Sequence, residues 1–298
     1  MANDKGMKEL QWTGERLTTV VSDMHVSVEH LHRYTFALQA ASGLDVLDIA
    51  SGEGYGANLL ADIAKSVIGV DSSSEAVEHA QKKYLKPNLV FKIGTANAIP
   101  LADRSVDLVV SFETIEHHDK HEEMIQEIKR VLRPGGHLIL STPDKSIYWQ
   151  RDASNPFHIK EISKDETVKL LIGYFKNVEV VEQRFVYGSL ISKSDSKGIQ
   201  FFNGNYKDVT SGLSKDSFYN NAFFNIFICT DVPFLDICQG ASFYDGLNVM
   251  KRQFDDVNSI RKSKRYQLGN IILTPFSWFK IILLKIKLFI IVIGIFIS

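Results

Sequence analysis

Residues 47–60 read LDIASGEGYGANLL, an apolar strand that runs into three glycines and then into an apolar helix start. This turn constrains the chain more than any other feature. Glycines at a strand-to-helix corner allow the backbone to approach a ligand closely, and Gly52-x-Gly54-x-x-Ala57 satisfies a loose dinucleotide fingerprint. Three acids decide between ligands: Asp48 before the loop, Glu53 within it, and Asp71, 17 residues after Gly54. A carboxylate at the end of the next strand grips ribose hydroxyls of NAD and of other nucleosides alike. Glu53 beside a pyrophosphate would be a like-charge contact, whereas a cationic ligand reverses the sign. S-adenosylmethionine carries a sulfonium, an ammonium and no phosphate, so the acids favour it over NAD; a tight turn without ligand is the third reading.

From residue 44 the pattern alternates strand and helix, the signature of an α/β fold around a parallel sheet. Strands are predicted at Asp45–Ile49, Ser66–Val70, Leu89–Ile93, Val106–Phe112 and His137–Ser141, then at Val178–Phe185 and Ala222–Thr230. Helices are predicted at Ala57–Ala64, Ser74–Tyr84 and Glu122–Leu132, the second capped by Ser72, Ser73 or Ser74. Arg133-Pro134-Gly135-Gly136 reads as a helix stop followed by a turn. Hydrophobic residues make up 45% and charged residues 23%, enough for a sizeable core, and the net charge of −1 argues against a nucleic-acid partner. Cys229 and Cys238 form neither a disulfide framework nor a zinc pattern, which suits a reducing cytoplasm, and residues 1–20 hold no secretory signal.

The stretch Asp48-Ile49-Ala50-Ser51-Gly52-Glu53-Gly54-Tyr55-Gly56 resembles motif I of class I S-adenosylmethionine-dependent methyltransferases, with Ala50 where the first glycine usually stands. Val70-Asp71 resembles the ribose-binding position, and Gly94-Thr95-Ala96-Asn97 the adenine-side loop, with Thr95 replacing its usual acid. Residues 101–109 and 132–136 are also similar to the family, in the expected order. The resemblance implies a Rossmann-like seven-stranded sheet, mostly parallel with an antiparallel last strand and helices on both faces. It implies S-adenosyl-L-methionine as cofactor, contacted by Asp48, Ala50, Gly52, Gly54, Asp71, Ser72, Ala96, Asn97 and Glu113.

SFETIEHHDKH follows the fourth predicted strand, at the carboxyl edge where open α/β sheets bind ligands. Glu113, Glu116 and His117 are spaced to share one side of a helical turn, and His158 follows the fifth strand. Two carboxylates and two imidazoles suit a divalent metal, Mg²⁺ or Mn²⁺ by the oxygens, Fe or Zn by the imidazoles. The E-x-x-E-H pattern with a later histidine resembles the metal site of small-RNA terminal 2′-O-methyltransferases and of ubiquinone-pathway O-methyltransferases. Carried over, the metal ligands are Glu113, Glu116, His117 and His158, with Glu116, His117 and His158 as catalytic groups. A metal-free polar site with a histidine base is the alternative, and His118 and His121 read as solvated helix-start residues. A hydroxyl acceptor needs help losing its proton, so the cluster argues for O-methylation.

The termini suggest the substrate. Thr13-Gly14-Glu15-Arg16 and Glu29-His30-Leu31-His32-Arg33-Tyr34 resemble the leader of methyltransferases found with glycosyltransferases in bacterial O-antigen and capsule pathways, as does Arg265–Gly269. The resemblance implies a sugar hydroxyl of a surface glycan or its lipid-linked or nucleotide-sugar precursor as acceptor, and a glycosyltransferase as partner. A small lipid-like acceptor such as a quinone precursor, or a non-catalytic scaffold role, are the rivals. After Asp256 no acidic residue occurs, and the apolar run Leu288–Ile297, with Lys280, Lys285 and Lys287 before it, is half the length of a spanning helix. Such a segment fits a helix lying on an anionic membrane, placing the protein on the cytoplasmic face; a buried or partner-docking helix is the alternative. The expected organisation is a helical lid or substrate shelf at 1–40, a methyltransferase domain at 41–231 with an insertion at 187–221, a helical extension at 232–266 and the basic-apolar tail at 267–298.

Overall fold

The computed structural model describes residues 10, 17–19, 24–148, 155–185, 222–234, 242–246, 259 and 262–263. The chain divides into two compact units, Met1–Tyr244 and Asp245–Ser298, and the fold described below belongs to the first. Thr13–Arg16, the 187–221 insertion and the 267–298 tail lie outside the described residues. Among the described residues no helix is long and apolar enough to cross a membrane.

Seven strands form one sheet in the order β3-β2-β1-β4-β5-β7-β6. They are β1 Asp45–Ile49, β2 Ser66–Asp71, β3 Leu89–Ile93, β4 Val106–Phe112, β5 Leu132–Pro143, β6 Asn177–Gln183 and β7 Phe224–Thr230. β1 pairs in parallel with β2 on one side and β4 on the other. β7 alone runs the other way, antiparallel to both β5 and β6. The strand order reverses beside β1, so the crevice outside the carboxyl ends of β1 and β4 is where a ligand belongs in such a sheet.

Alternation along the central strands makes two cores. Val46, Leu108, Val110 and Ile139 face a cluster with Tyr34, Phe36, Ala37, Leu60, Val77 and Phe91. These come from helices α1 (Met24–Ala41), α2 (Tyr55–Leu60) and α3 (Ser74–Lys83) and from β3. Leu47, Val109 and Leu138 face the opposite cluster, with Met124, Ile125, Ile128 and Val131 of α4 (His121–Val131) and Leu171 of α6 (Lys164–Ile172). The three-and-four spacing of the α4 residues puts all four on one face. Each fully buried Leu or Ile contributes about 1.5–3 kcal/mol. The short helix α5 is Lys145–Tyr148.

The boundaries differ from the sequence reading in places with physical reasons. Residues 61–64 leave the helix because Asp62 and Ile63 bond back three residues, to Leu59 and Leu60, tightening the coil into turns. Ser73 is the cap of α3, its side chain accepting from the Ala76 amide. α4 ends at Val131, one residue before the expected Leu132, and residues 133–136 make no free turn. The chain enters β5 at once and bulges: Val106 pairs with Leu132 and Leu108 with His137, with Gly135 at φ +82° inside the bulge.

Candidate active site

Three strand ends build the cofactor side. After β1 the backbone turns left-handed at Ala50, Gly52 and Gly54, with φ of 60°, 55° and 93°. Gly54 is required sterically as well, since a Cβ there would lie 2.8 Å from Ala80 and from the Phe91 ring. Asp71, at the end of β2, accepts from the Gly52 amide (2.8 Å) and the Ser73 amide (2.9 Å). Its own carbonyl accepts from the Gly94 amide after β3. One aspartate therefore ties the three loops together. Ala96 is buried in the third loop, and Asn97 donates to Glu123 of α4 at 3.3 Å. Ser72 is exposed beside Asp71.

Asp48 is fully buried beneath the loop. Burial, with Asp71 nearby, pushes its carboxyl up to about 7, against the hydrogen bonds from Tyr34 and the Ala57 amide that hold it down. Tyr34 Oη donates to both carboxylate oxygens, at 3.1 and 3.3 Å.

Glu53 corrects the charge argument drawn from sequence. Its carboxylate is 1% exposed and accepts from the Thr19 amide (2.8 Å), the Thr19 hydroxyl (2.9 Å) and Lys83 Nζ. The charge is neutralised by Lys83 within the fold, so it does not confront a ligand and does not by itself discriminate against phosphate. Nothing in the one-dimensional pattern pairs Glu53 with a lysine 30 residues away.

The opposite side of the crevice starts where β4 ends. Glu113 adopts φ +51°, and its Oε1 accepts from Ser141 Oγ of β5 at 2.6 Å and lies 4.0 Å from the Arg33 guanidinium. The next turn, a 3-10 helix at Ile115–His117, carries Glu116 inward. Glu116 is 1% exposed; Oε2 accepts from Thr142 Oγ1 at 3.1 Å, and Oε1 is buried with no hydrogen-bond partner among the described residues. Burial, and Glu113 beside it, hold this carboxyl well above the usual carboxylate range. The loop 155–161 is stitched to the same turn, since the Ile159 and Lys160 amides both donate to the Glu116 carbonyl.

His117 and His158 complete the group. His117 Nδ1 lies 3.1 Å from the Phe157 carbonyl, which can only accept, so Nδ1 carries a proton and donates it there. His158 Nδ1 faces Glu161 Oε1 at 2.9 Å, with its ring stacked on Tyr148 at 4.9 Å. One ligand atom each from Glu116, His117 and His158 falls within 4.8 Å of the others.

Glu113 is not part of that group. The left-handed step before the 3-10 turn aims it at Ser141 and Arg33, so the helical-face argument fails for this residue. His121 is not solvated: it is 6% exposed, and His118 is half-buried with Nε2 3.2 Å from Met124 Sδ. Burial depresses both imidazoles below their ordinary value. Sequence reasoning missed Thr142, Ser141 and Glu161 as partners of the site, and placed Arg33 only within a lid or shelf near the pocket. For Arg33 a signal existed, because His30, Arg33 and Tyr34 recur at helical spacing.

Residues 47–140 match the family model described as a methyltransferase domain. Among curated proteins, a probable S-adenosylmethionine-dependent methyltransferase of Mycolicibacterium smegmatis is 38% identical over 165 residues, 54% of this chain and 63% of the relative. A probable S-adenosylmethionine-dependent methyltransferase of Mycobacterium tuberculosis is 37% identical over 169 residues, 55% of this chain and 60% of the relative. A phthiotriol/phenolphthiotriol dimycocerosates methyltransferase of Mycobacterium ulcerans is 30% identical, over 56% of this chain and 66% of the relative. The chain thus spans about three fifths of the length of the first two. Among solved structures, an S-adenosylmethionine-dependent methyltransferase of Thermotoga maritima superposes with a TM-score of 0.51 at 23% identity, covering 69% of this chain and 91% of that one, which establishes the shared fold. With its glycine loop, its seven strands and these relatives together, the chain carries a class I S-adenosylmethionine-dependent methyltransferase domain over residues 47–140.

Proposed function

We propose that the protein is an S-adenosylmethionine-dependent O-methyltransferase acting on a sugar hydroxyl of a surface glycan or its lipid-linked or nucleotide-sugar precursor. The observation that carries O-methylation is the Glu116–His117–His158 group at the end of β4, across the crevice from the cofactor loop. Bound cofactor supplies an electrophilic methyl on a sulfonium, so the chain's task is to hold the acceptor in line and dry and to take its proton. The loops of Asp48, Gly52, Gly54, Asp71, Ser72, Ala96 and Asn97 hold the cofactor in this reading.

The donor set fits a divalent cation. Among the described residues Glu116 Oε1 is buried without a partner, and Nδ1 of each histidine is engaged, by the Phe157 carbonyl and by Glu161, which leaves Nε2 to face a ligand. A Mg²⁺ or Mn²⁺ ion there would lower the pKa of an acceptor hydroxyl. Glu113 stands next to this set through Ser141 and Arg33, outside the ligands. The metal-free version uses the same residues, with an Nε2 lone pair of His117 or His158 receiving the hydroxyl proton and Glu161 or the Phe157 carbonyl stabilising the resulting imidazolium.

The acceptor class rests on sequence resemblance. The basic-apolar segment 267–298 would hold the enzyme on the cytoplasmic face of the membrane, beside a lipid-linked glycan and a glycosyltransferase partner, with residues 1–40 as substrate shelf and 232–266 as connecting helix. A lipid-borne hydroxyl is the second reading, favoured by the name of the relative in M. ulcerans. Labelled S-adenosylmethionine with glycan precursors in one arm and polyprenylated catechols in the other, each with and without EDTA, tests all of this. Label on a sugar oxygen, lost in EDTA, is expected. Transfer only to the catechols overturns the glycan acceptor, and full activity in EDTA overturns the metal.

A further inference from the structure

Helix α1 presents His30, Arg33 and Tyr34 at positions i, i+3 and i+4, so they lie on one face. That face meets side chains of the loops around the crevice. Tyr34 Oη donates to Asp48, the Tyr55 hydroxyl lies 2.8 Å from His30 Nδ1, and Arg33 reaches toward Glu113. Arg33 is anchored from below by Gln183 Oε1 at 2.8 Å and sits over the Phe224 ring. A helix that served only to cover the core would turn apolar residues this way; here the polar ones point inward, each toward a residue of the two loops that flank the crevice.

The Tyr34 ring contributes as much as its hydroxyl. It meets Tyr55 and Phe112 edge-on, at centroid separations of 5.4 and 5.0 Å. It also occupies the space left by the missing side chain of Gly56, where a Cβ would fall 1.9 Å from the ring. The third glycine of the loop is therefore explained by a tyrosine from α1 and not by a ligand.

We infer that Tyr34 is a positioning residue of the cofactor site, which orients the Asp48 carboxylate through its hydroxyl and fixes the height of the glycine loop through its ring, with His30 steadying Tyr55 beside it. This rests on the assignment of the β1 loop to S-adenosylmethionine. The consequence is that an element outside the matched domain, residues 47–140, sets cofactor affinity.

The test uses the full chain and S-adenosylhomocysteine as probe, with calorimetric affinity and thermal midpoint measured in parallel. Tyr34→Phe keeps the ring and removes the hydrogen bond to the carboxylate, and is expected to weaken the probe about five- to tenfold. His30→Ala is expected to weaken it about twofold to threefold. Phe36→Leu, at a buried apolar residue of α1, is the packing control: it lowers the midpoint and leaves affinity within about twofold. Unchanged affinity in Tyr34→Phe, or an equal loss in Phe36→Leu, overturns the positioning role while leaving the cofactor assignment standing. If Tyr34→Phe does not fold, unchanged affinity in His30→Ala overturns it instead. A wild-type chain that does not bind the probe overturns the cofactor assignment, and the positioning role with it.

Discussion

The two sides of the crevice differ in how their carboxylates are held. On the β1–β2 side each is tied inward: Asp71 by two amides, Asp48 by a phenol, and Glu53 by a lysine and a threonine. On the acceptor side the groups are only half tied. Among the described residues Glu116 keeps one buried oxygen without a partner, and the two imidazoles are engaged through Nδ1 alone. A buried polar atom without a partner costs about 1–3 kcal/mol. A fold retains that cost where a ligand or a reaction recovers it. In the proposed function, the free Glu116 oxygen is the place where a cation or a proton would be received.

The contrast can be broken by substitution, and the largest effect is expected at Gly56. Gly56→Ala places a methyl inside the Tyr34 ring, so α1 and the loop must separate. Loss of at least tenfold in S-adenosylhomocysteine affinity and a clearly lowered thermal midpoint are expected; normal binding would show that the loop height is not set by α1.

Glu116→Gln probes the other side. Mn²⁺ affinity, read by calorimetry or electron paramagnetic resonance, is expected to fall more than tenfold while S-adenosylhomocysteine binds within about twofold of wild type. A comparable loss of both ligands would mean that the two sides are not separable.

A smaller effect comes from protons. Asp48 titrates at about 7 in the fold, and the groups facing it are Asp71, Tyr34 and the Ala57 amide. A cationic ligand favours the ionised carboxylate, so binding near neutrality expels a proton. Affinity should therefore rise severalfold from pH 6 to pH 8, with proton release visible as a buffer-dependent binding enthalpy; Asp48→Asn should abolish the release. The stability sign is the reverse. Because the folded value exceeds the unfolded one, Asp48 favours the fold at low pH, and that contribution is lost as pH rises through about 7. A flat affinity profile would remove Asp48 from the cofactor site.

The smallest effect is at Ala50. An alanine held at φ +60° bears a left-handed backbone that glycine adopts without steric cost. Ala50→Gly loses some chain entropy but relieves the strain, for a net stabilisation of about 0.5 kcal/mol. A rise of about 1–2 °C in thermal midpoint is expected.

The sheet was legible because short, largely apolar stretches such as VDLVVSF and DVLDI alternate with helical stretches, the pattern of buried parallel strands. The cofactor loop was legible because Gly52 and Gly54 answer the left-handed backbone of the turn, whereas the reason for Gly56 lies in Tyr34 of α1. The acceptor side was legible only in composition. Glu116, His117 and His158 were recognisable as ligand types, but one left-handed residue decides that Glu113 leaves their company, and helical spacing carries no trace of that step. Glu53 failed for a related reason: its partners, Thr19 and Lys83, lie 34 and 30 residues away, beyond any local pattern. His121 looked solvated because it opens a helix, yet the loop 155–161 folds over that end.

The Thr19–Glu53 contact also gives the molecule a native reporter. The Thr19 amide is donated to a carboxylate inside the cofactor loop at 2.8 Å, although Thr19 is far upstream in the chain. Its hydrogen exchange requires that bond to open, so its exchange rate measures how often the loop releases Glu53. Slowing of that single amide when cofactor is added would record, without any label or substitution, the loop tightening around its ligand.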